Sequence, residues 1–266
     1  MELSRRLKAI TDLLSKGDVV ADVGCDHGYV SIYLTSHGIF KRALAMDVRS
    51  GPLDIAKKNI EASGLEDCIE TRLSDGLKNY TVSEADAMVV AGMGGILMKT
   101  ILSDSIDKVL GLKQMVLQPQ SEIEAVRGYV RELGLFIDAE DIIHEDGKFY
   151  PMFHVVHDKP ADDVRNKVKT GLVALVATMD VKSDLSSDML ADMVIDRYGE
   201  YLLYHKHDTL KNFLHWQRGV LQGISKKLLE AEKNDGARLK QKLIMRMNQL
   251  SEDMLLSAIA IGYVED

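Results

Sequence analysis

Apolar positions along the chain change period several times, and each change marks an element. Leu3, Leu7, Ile10 and Leu14 recur at helical spacing, with Arg5, Arg6 and Lys8 on the other faces, which predicts a short amphipathic helix ended by Gly17-Asp18. Residues 19–24 then form a nearly continuous apolar run closed by glycine, the pattern of a strand covered on both faces in a parallel sheet. A glycine-bearing turn over 24–28 leads into a helix over 29–37 that Gly38 terminates. The alternation continues with a strand over 42–48 and a helix over 51–63, Pro52 in its first turn and Gly64 after its last. Strands over 69–73 and 87–91, a helix over 96–102 and a short strand over 115–117 follow. Ser121-Glu122-Ile123-Glu124 has the form of a capping box and predicts a helix running to Gly134. Residues 136–143 and 149–156, on either side of Glu145-Asp146-Gly147, read as a closing antiparallel hairpin.

Strand–helix alternation closed by a hairpin predicts an α/β fold with a doubly wound, Rossmann-like sheet, in which ligands sit beyond the C-terminal ends of the strands. After Lys159-Pro160 the strand signals fade. Leu202, Leu203, Leu210, Phe213, Leu214, Val220, Leu221, Leu228 and Leu229 lie at helical intervals, and a second such stretch follows Asn234-Asp235-Gly236. Two long helices joined there predict a helical hairpin of coiled-coil type. The chain therefore divides into an α/β domain over 1–159 and a helical domain over 160–266. Residues 161–190 fit neither pattern and read as an insertion.

The chain has 266 residues, room for one α/β unit and an appendage. With 46% hydrophobic and 28% charged residues it has the balance of a folded globular protein. The longest apolar runs fall far short of the roughly 20 residues of a membrane span, and the opening segment lacks the apolar core of a secretory signal. Cys25 and Cys68 are the only cysteines, with no CxxC pair and no matching histidine spacing, so neither a disulfide framework nor a metal site is expected, and the cytoplasm is the expected compartment. A net charge of −8 argues against a protein that coats nucleic acid indiscriminately. The charge is uneven, however. Residues 197–250 carry eleven Lys and Arg against five Asp and Glu, an acidic body with a basic tail. That tail reads either as a solvated helical face or as a surface for phosphates.

The strongest local signal is Asp22-Val23-Gly24-Cys25-Asp26-His27-Gly28, between the first strand and the first sheet-covering helix. Glycine lets a ligand approach the backbone there, and the helix start offers unpaired N–H groups. The spacing is G-x-x-x-G and not G-x-G-x-x-G, which weakens a pyrophosphate-binding reading. Asp47 closes the second strand, where an acidic side chain accepts both hydroxyls of a ribose. Ser74-Asp75-Gly76 follows the third strand, placed to receive an adenine amino group. Ala91-Gly92-Met93-Gly94-Gly95 follows the fourth and leaves room for a flat base.

Together these loops resemble the motifs of class I S-adenosylmethionine-dependent methyltransferases. More narrowly, Asp26-His27-Gly28-Tyr29, Gly51-Pro52, Arg72-Leu73-x-x-Gly76-Leu77, Ala91-Gly92-Met93-Gly94-Gly95, Leu117-Gln118-Pro119 and Gly147-Lys148-Phe149-Tyr150 resemble the TrmK family, from about Leu3 to Val156 and more weakly through the tail. The resemblance implies methylation of N1 of adenine 22 in bacterial tRNA, with S-adenosyl-L-methionine as the only cofactor, no metal, and tRNA as the partner. It implies a cofactor site of Asp22, Gly24, Cys25, Asp26, His27, Gly28, Asp47, Val48, Ser74, Asp75, Gly76, Ala91, Gly92 and Met93. Two departures stand out: Gly24-Cys25-Asp26-His27-Gly28 where the family usually has G-S-D-H-A, and Arg49 where it has a neutral residue.

N1 of adenine carries an in-plane lone pair, so methyl transfer to it needs positioning more than a strong base. Asp26 and His27 are the candidates for electrostatic support and base contact, each with the alternative of a helix-start structural role. Tyr29, Met93 and Tyr150 are candidates to hold the base, with ordinary core packing as the alternative for Met93 and Tyr150. Gln118 offers a donor and an acceptor to a base edge, aimed by Pro119. Arg5, Arg6, Lys226, Lys227 and Lys240 are candidates for RNA phosphates. The competing readings are a methyltransferase for another RNA or a small molecule, a non-catalytic Rossmann nucleotide-binding or NAD(P) protein, and a helical-hairpin interaction protein with an inert body.

Overall fold

The apolar run after Gly17 folds as strand β1 (Gly17–Val23), flanked on both sides by parallel neighbours, so that Val20, Ala21 and Val23 are buried. The computed structural model describes residues 2–181, 183–234 and 240–265, with no side-chain description for residues 230–247. Ahead of β1 lies α1 (Arg5–Asp12), started by the Ser4 hydroxyl, which accepts from Leu7 N at 3.3 Å, and by Glu145, whose carboxylate accepts from Arg5 N at 2.7 Å. After β1 come α2 (Tyr29–Ser36), β2 (Phe40–Asp47), α3 (Ser50–Ala62), β3 (Ile69–Leu73) and β4 (Ala87–Met93). Then follow α4 (Gly95–Ser103), α5 (Ile106–Leu110), β5 (Gln114–Pro119) and α6 (Ile123–Glu132). The hairpin is β6 (Phe136–Glu145) with β7 (Lys148–Val156).

The seven strands lie in the order β3-β2-β1-β4-β5-β7-β6; β1 to β5 are parallel, and β7 runs antiparallel to β5. The strand order reverses between β1 and β4. Helices that follow these two strands cover opposite faces, and a crevice opens beyond their C-terminal ends. Ile10, Leu34, Phe40, Ile60 and Val89 belong to one apolar layer that fixes α1, α2 and α3 on the sheet.

Two local expectations change. The capping box at Ser121 does not form: Glu122 turns through the left-handed region at φ +45°, and the Ser121 hydroxyl instead accepts from Gly95 N at 3.3 Å. That bond ties the loop after β5 to the start of α4. Residues 161–190 are helical in large part, forming α7 (Val164–Thr178) and the start of α8 (Ser187–Tyr198).

The chain splits after Ala161 into two compact units. The second adds α9 (Glu200–Tyr204), α10 (Asp208–Asn234) and α11 (Lys240–Glu265). Val168, Leu172, Val194, Leu203 and Ile259 are fully buried in it, and Arg165 bridges Asp192 at 2.8 Å and Asp196 at 3.1 Å. α10 packs along α11, as a helical hairpin requires; of the predicted connecting turn, Asp235 and Gly236 lie outside the described residues. Among the described residues no helix is long and apolar enough to cross a membrane.

Candidate functional site

The tips of the parallel strands surround a cleft of about 430 Å³, within the size range of small-molecule and cofactor pockets. Its floor is the turn after β1. Gly24 and Cys25 both donate their N–H groups to Met46 O, at 2.8 and 2.9 Å, which holds the turn against the end of β2. Gly24 sits at φ +75°, a conformation that favours glycine, and the Met93 methyl group takes the space a side chain there would fill. Gly28 starts α2 and faces Ala56 of α3; it shapes the turn without lining the cleft.

One side of the cleft is acidic. Asp22 is buried and accepts from the Ser31 hydroxyl at 2.8 Å. Burial raises its carboxyl to about 6; the Ser31 bond opposes the rise and the Asp47 charge adds to it. Asp47, also buried, accepts from Asp26 N at 3.3 Å and from Arg49 N at 2.9 Å, which fixes the carboxylate at the end of β2. Ser74 is buried and shapes its own turn, donating to Gly76 O at 2.8 Å and accepting from Asn79 N at 3.1 Å. Asp75 is exposed and paired with Lys78. Burial and the charges of Asp22, Asp47 and Asp26 push the Cys25 thiol up, so it remains a thiol and no nucleophile.

The Asp26 and His27 side chains stand at the rim, with His27 Nε2 3.6 Å from Asp26 Oδ1 and the imidazole edge-on to Tyr29. Asp26 occupies the left-handed region at φ +50° and does not cap α2, whose N-cap is Gly28 with no side-chain cap bond. The structure gathers Asp22, Gly24, Cys25, Asp26, His27, Tyr29, Asp47, Val48, Ser74, Asp75, Gly76, Ala91, Gly92, Met93 and Arg6 around this one space.

It does not bring Gln118, Pro119, Tyr150 or Arg5 there. Gln118 is wholly buried: its Oε1 accepts from Arg6 Nη1 at 2.9 Å and from Gly92 N at 3.2 Å, and its Nε2 donates to Pro119 O. Both ends of the amide are thereby committed, so Gln118 braces the wall of the cleft and meets no base edge. Tyr150 lies under the Arg6 guanidinium, 5.3 Å from its ring centre. Arg5 is exposed on α1. Lys226 and Lys227 are exposed on α10, in the second unit, and the Lys240 side chain lies outside the described residues.

Sequence reasoning missed Gln120 and Leu97, which line the cleft; Arg49, noted in the sequence only as a departure from the family pattern, lines it too. Arg49 Nε lies 3.8 Å from Asp47 Oδ1, and Leu97 offers an exposed apolar surface at the mouth. Among the described residues no group of three or more His, Cys, Asp or Glu is gathered to hold a metal ion.

Residues 3–153 match the family model described as a methyltransferase domain. Over 150 residues the chain is 36% identical to the tRNA (adenine(22)-N(1))-methyltransferase of Bacillus subtilis (strain 168), spanning 56% of this chain and 63% of that protein. The match thus covers less than two thirds of that curated relative. The crystal structure of the B. subtilis m1A22 tRNA methyltransferase TrmK superposes with a TM-score of 0.75 at 27% identity, covering 98% of this chain and 99% of that one. A Streptococcus pneumoniae protein in complex with S-adenosyl-L-methionine superposes with a TM-score of 0.68 at 27% identity, covering 95% of this chain and 100% of that one.

Proposed function

We infer that this chain, which belongs to the methyltransferase-domain family and stands within it beside TrmK, methylates N1 of adenine 22 in tRNA from S-adenosyl-L-methionine. The observation that carries the reading is the acidic arc over β1, β2 and β3. Asp47 ends β2 as a fixed, buried carboxylate, and Asp22 and Asp75 end or follow the strands on either side. Such an arc fits a ligand with ribose hydroxyls, an ammonium and a positive sulfur, and repels a pyrophosphate. The cleft volume and the side-chain-free position at Gly24 fit the same group.

Bound there, S-adenosyl-L-methionine supplies an electrophilic methyl group on sulfur. Asp47 would hold the ribose hydroxyls, and the Ser74-Asp75-Gly76 turn the adenine end. The turn from Gly24 to His27 would line the remainder. Asp26 and His27, at the rim, face the side from which a base enters. A carboxylate there stabilises a purine ring that becomes cationic on methylation at N1. A paired adenine reaches the cleft only after leaving its stack, because N1 lies on the pairing edge. Lys226, Lys227 and Arg5 would meet tRNA phosphates, with the reaction taking place in the cytoplasm.

Incubation of the chain with an unmodified tRNA transcript and methyl-labelled donor, followed by nucleoside analysis, tests this reading. Label in 1-methyladenosine at position 22 supports it; label in another nucleoside, or none, overturns it.

A further inference from the structure

The two halves of the cleft differ in character. Over β1 to β3 it presents carboxylates, whereas over β4 and β5 it presents Gly92 flanked by Arg6 and Gln120. Gly92 sits at φ +77°, and the point its missing Cβ would occupy lies 3.7 Å from Arg6 Nη1 and 3.8 Å from Gln120 Nε2. This is an open position overhung by two nitrogen donors.

We propose that Gln120 is the specificity-determining residue of the target subsite, reading the N6 and N7 atoms of the adenine that the cleft methylates at N1. The proposal rests on the adenine-N1 methyltransferase reading above. N1 must stay bare to attack the methyl group, so a side chain that pairs with two polar atoms of the base at once does so on the N6/N7 edge. That edge presents one donor, the N6 amino group, and one acceptor, N7. A carboxamide matches the pair, with Oε1 accepting from N6 and Nε2 donating to N7, the same pairing by which Asn and Gln read adenine in duplex DNA. Guanine presents acceptors at both positions and leaves Oε1 opposed by O6.

Gln120 is built for the task. Its N–H donates to Met93 O at 2.8 Å, which pins its backbone to the end of β4. The buried Pro119 before it fixes the direction of the chain. Its side chain is exposed to the cleft, with no hydrogen-bond partner among the described residues. Arg6 is unsuited to the same role. Its Nη1 is given to Gln118 and its plane rests over Tyr150. A guanidinium has no acceptor for N6, and its charge opposes a ring that turns cationic. A phosphate of the extruded nucleotide suits it better.

The test uses full-length chain and tRNAs assembled by ligation, with either adenosine or 7-deazaadenosine at the target position. Removing N7 is expected to lower kcat/KM of the wild type about tenfold. Gln120→Ala is expected to be about tenfold slower on adenosine and indifferent to N7. Gln120→Glu, which accepts from N6 but turns a carboxylate oxygen toward the N7 lone pair, is expected to reverse the preference and work faster on 7-deazaadenosine than on adenosine. Damage to the fold would slow both substrates alike and leave the N7 factor intact, and that outcome overturns the proposal. Equal rates for wild type and Gln120→Ala also overturn it, while leaving the adenine-N1 reading standing. A wild type that makes no 1-methyladenosine removes that reading, and the proposal with it.

Discussion

Replacing Asp22 by Asn isolates the cost of keeping a carboxylate under the cleft. Asp22 is 4% exposed, and burial raises its carboxyl from 3.8 to about 6. Because the fold raises this pKa, the native state binds the proton more tightly than the unfolded chain does. The ionisation penalty is therefore absent below the unfolded value of 3.8, grows as pH rises to about 6, and is constant above it. A shift of roughly two units is worth about 3 kcal/mol. Asn keeps an acceptor for the Ser31 hydroxyl, now bonded at 2.8 Å, but loses the stronger charge-assisted bond. The net expectation is a gain of about 1–3 kcal/mol in unfolding free energy for Asp22→Asn near neutral pH, shrinking to a few tenths near pH 4. Urea titrations at the two pH values measure it. They should be read by circular dichroism and by amide exchange of β1, since the one tryptophan, Trp216, lies in the other unit. A variant no more stable than wild type at neutral pH would refute the argument. So would a gain that persists undiminished in acid.

Asp47→Asn, which has one acceptor oxygen for the two N–H groups of Asp26 and Arg49 and loses the charge, is expected to weaken S-adenosylhomocysteine binding by about 10- to 100-fold in calorimetry and to cost about 1–3 kcal/mol in urea unfolding. Gln118→Leu leaves Gly92 N and Arg6 Nη1 without their shared acceptor; it should cost about 1–3 kcal/mol in urea unfolding and lower kcat even though Gln118 does not line the cleft. Reversing Lys226 and Lys227 together to Glu should weaken tRNA binding and flatten its salt dependence by about one to two in log–log slope, measured by filter binding across a salt series. Unchanged affinity would remove those lysines from the RNA surface.

The loops that line the cleft over β1 to β4 were legible because each follows a buried parallel strand. A run such as 19–24 or 87–91 announces its own end, and in a parallel sheet those ends share one edge. The β5 side was not legible in the same way. Gln118 and Gln120 flank a proline, and which of them faces the cleft depends on the alignment of β5 with β4. That register shifts between Ala91 and Met93, at Gly92 in the left-handed region; the glycine marks an irregularity, but not which glutamine it turns toward the cleft. Gln118 is consequently committed behind the wall and Gln120 lines the space. The capping box failed for a related reason, since the left-handed turn at Glu122 is set by the closure of the loop on Gly95 and not by local preference. Residues 161–190 did carry a signal, Val164, Val168, Leu172 and Val176 at four-residue spacing, all buried along α7. The polar stretch after Met179 obscured it. Helix α5, five residues long, is too short for any period to show.

On the proposed function, the acidic arc at the tips of β1, β2 and β3 holds an adenosyl sulfonium donor. A crystal structure of the full chain with S-adenosylhomocysteine tests it most directly. Expected are the ribose hydroxyls within hydrogen-bond reach of the Asp47 carboxylate, the adenine beside the Ser74-Asp75-Gly76 turn, and the space above Gly92 left open for the base. Ligand density elsewhere, or a cleft that excludes S-adenosylhomocysteine while admitting NAD, would contradict it.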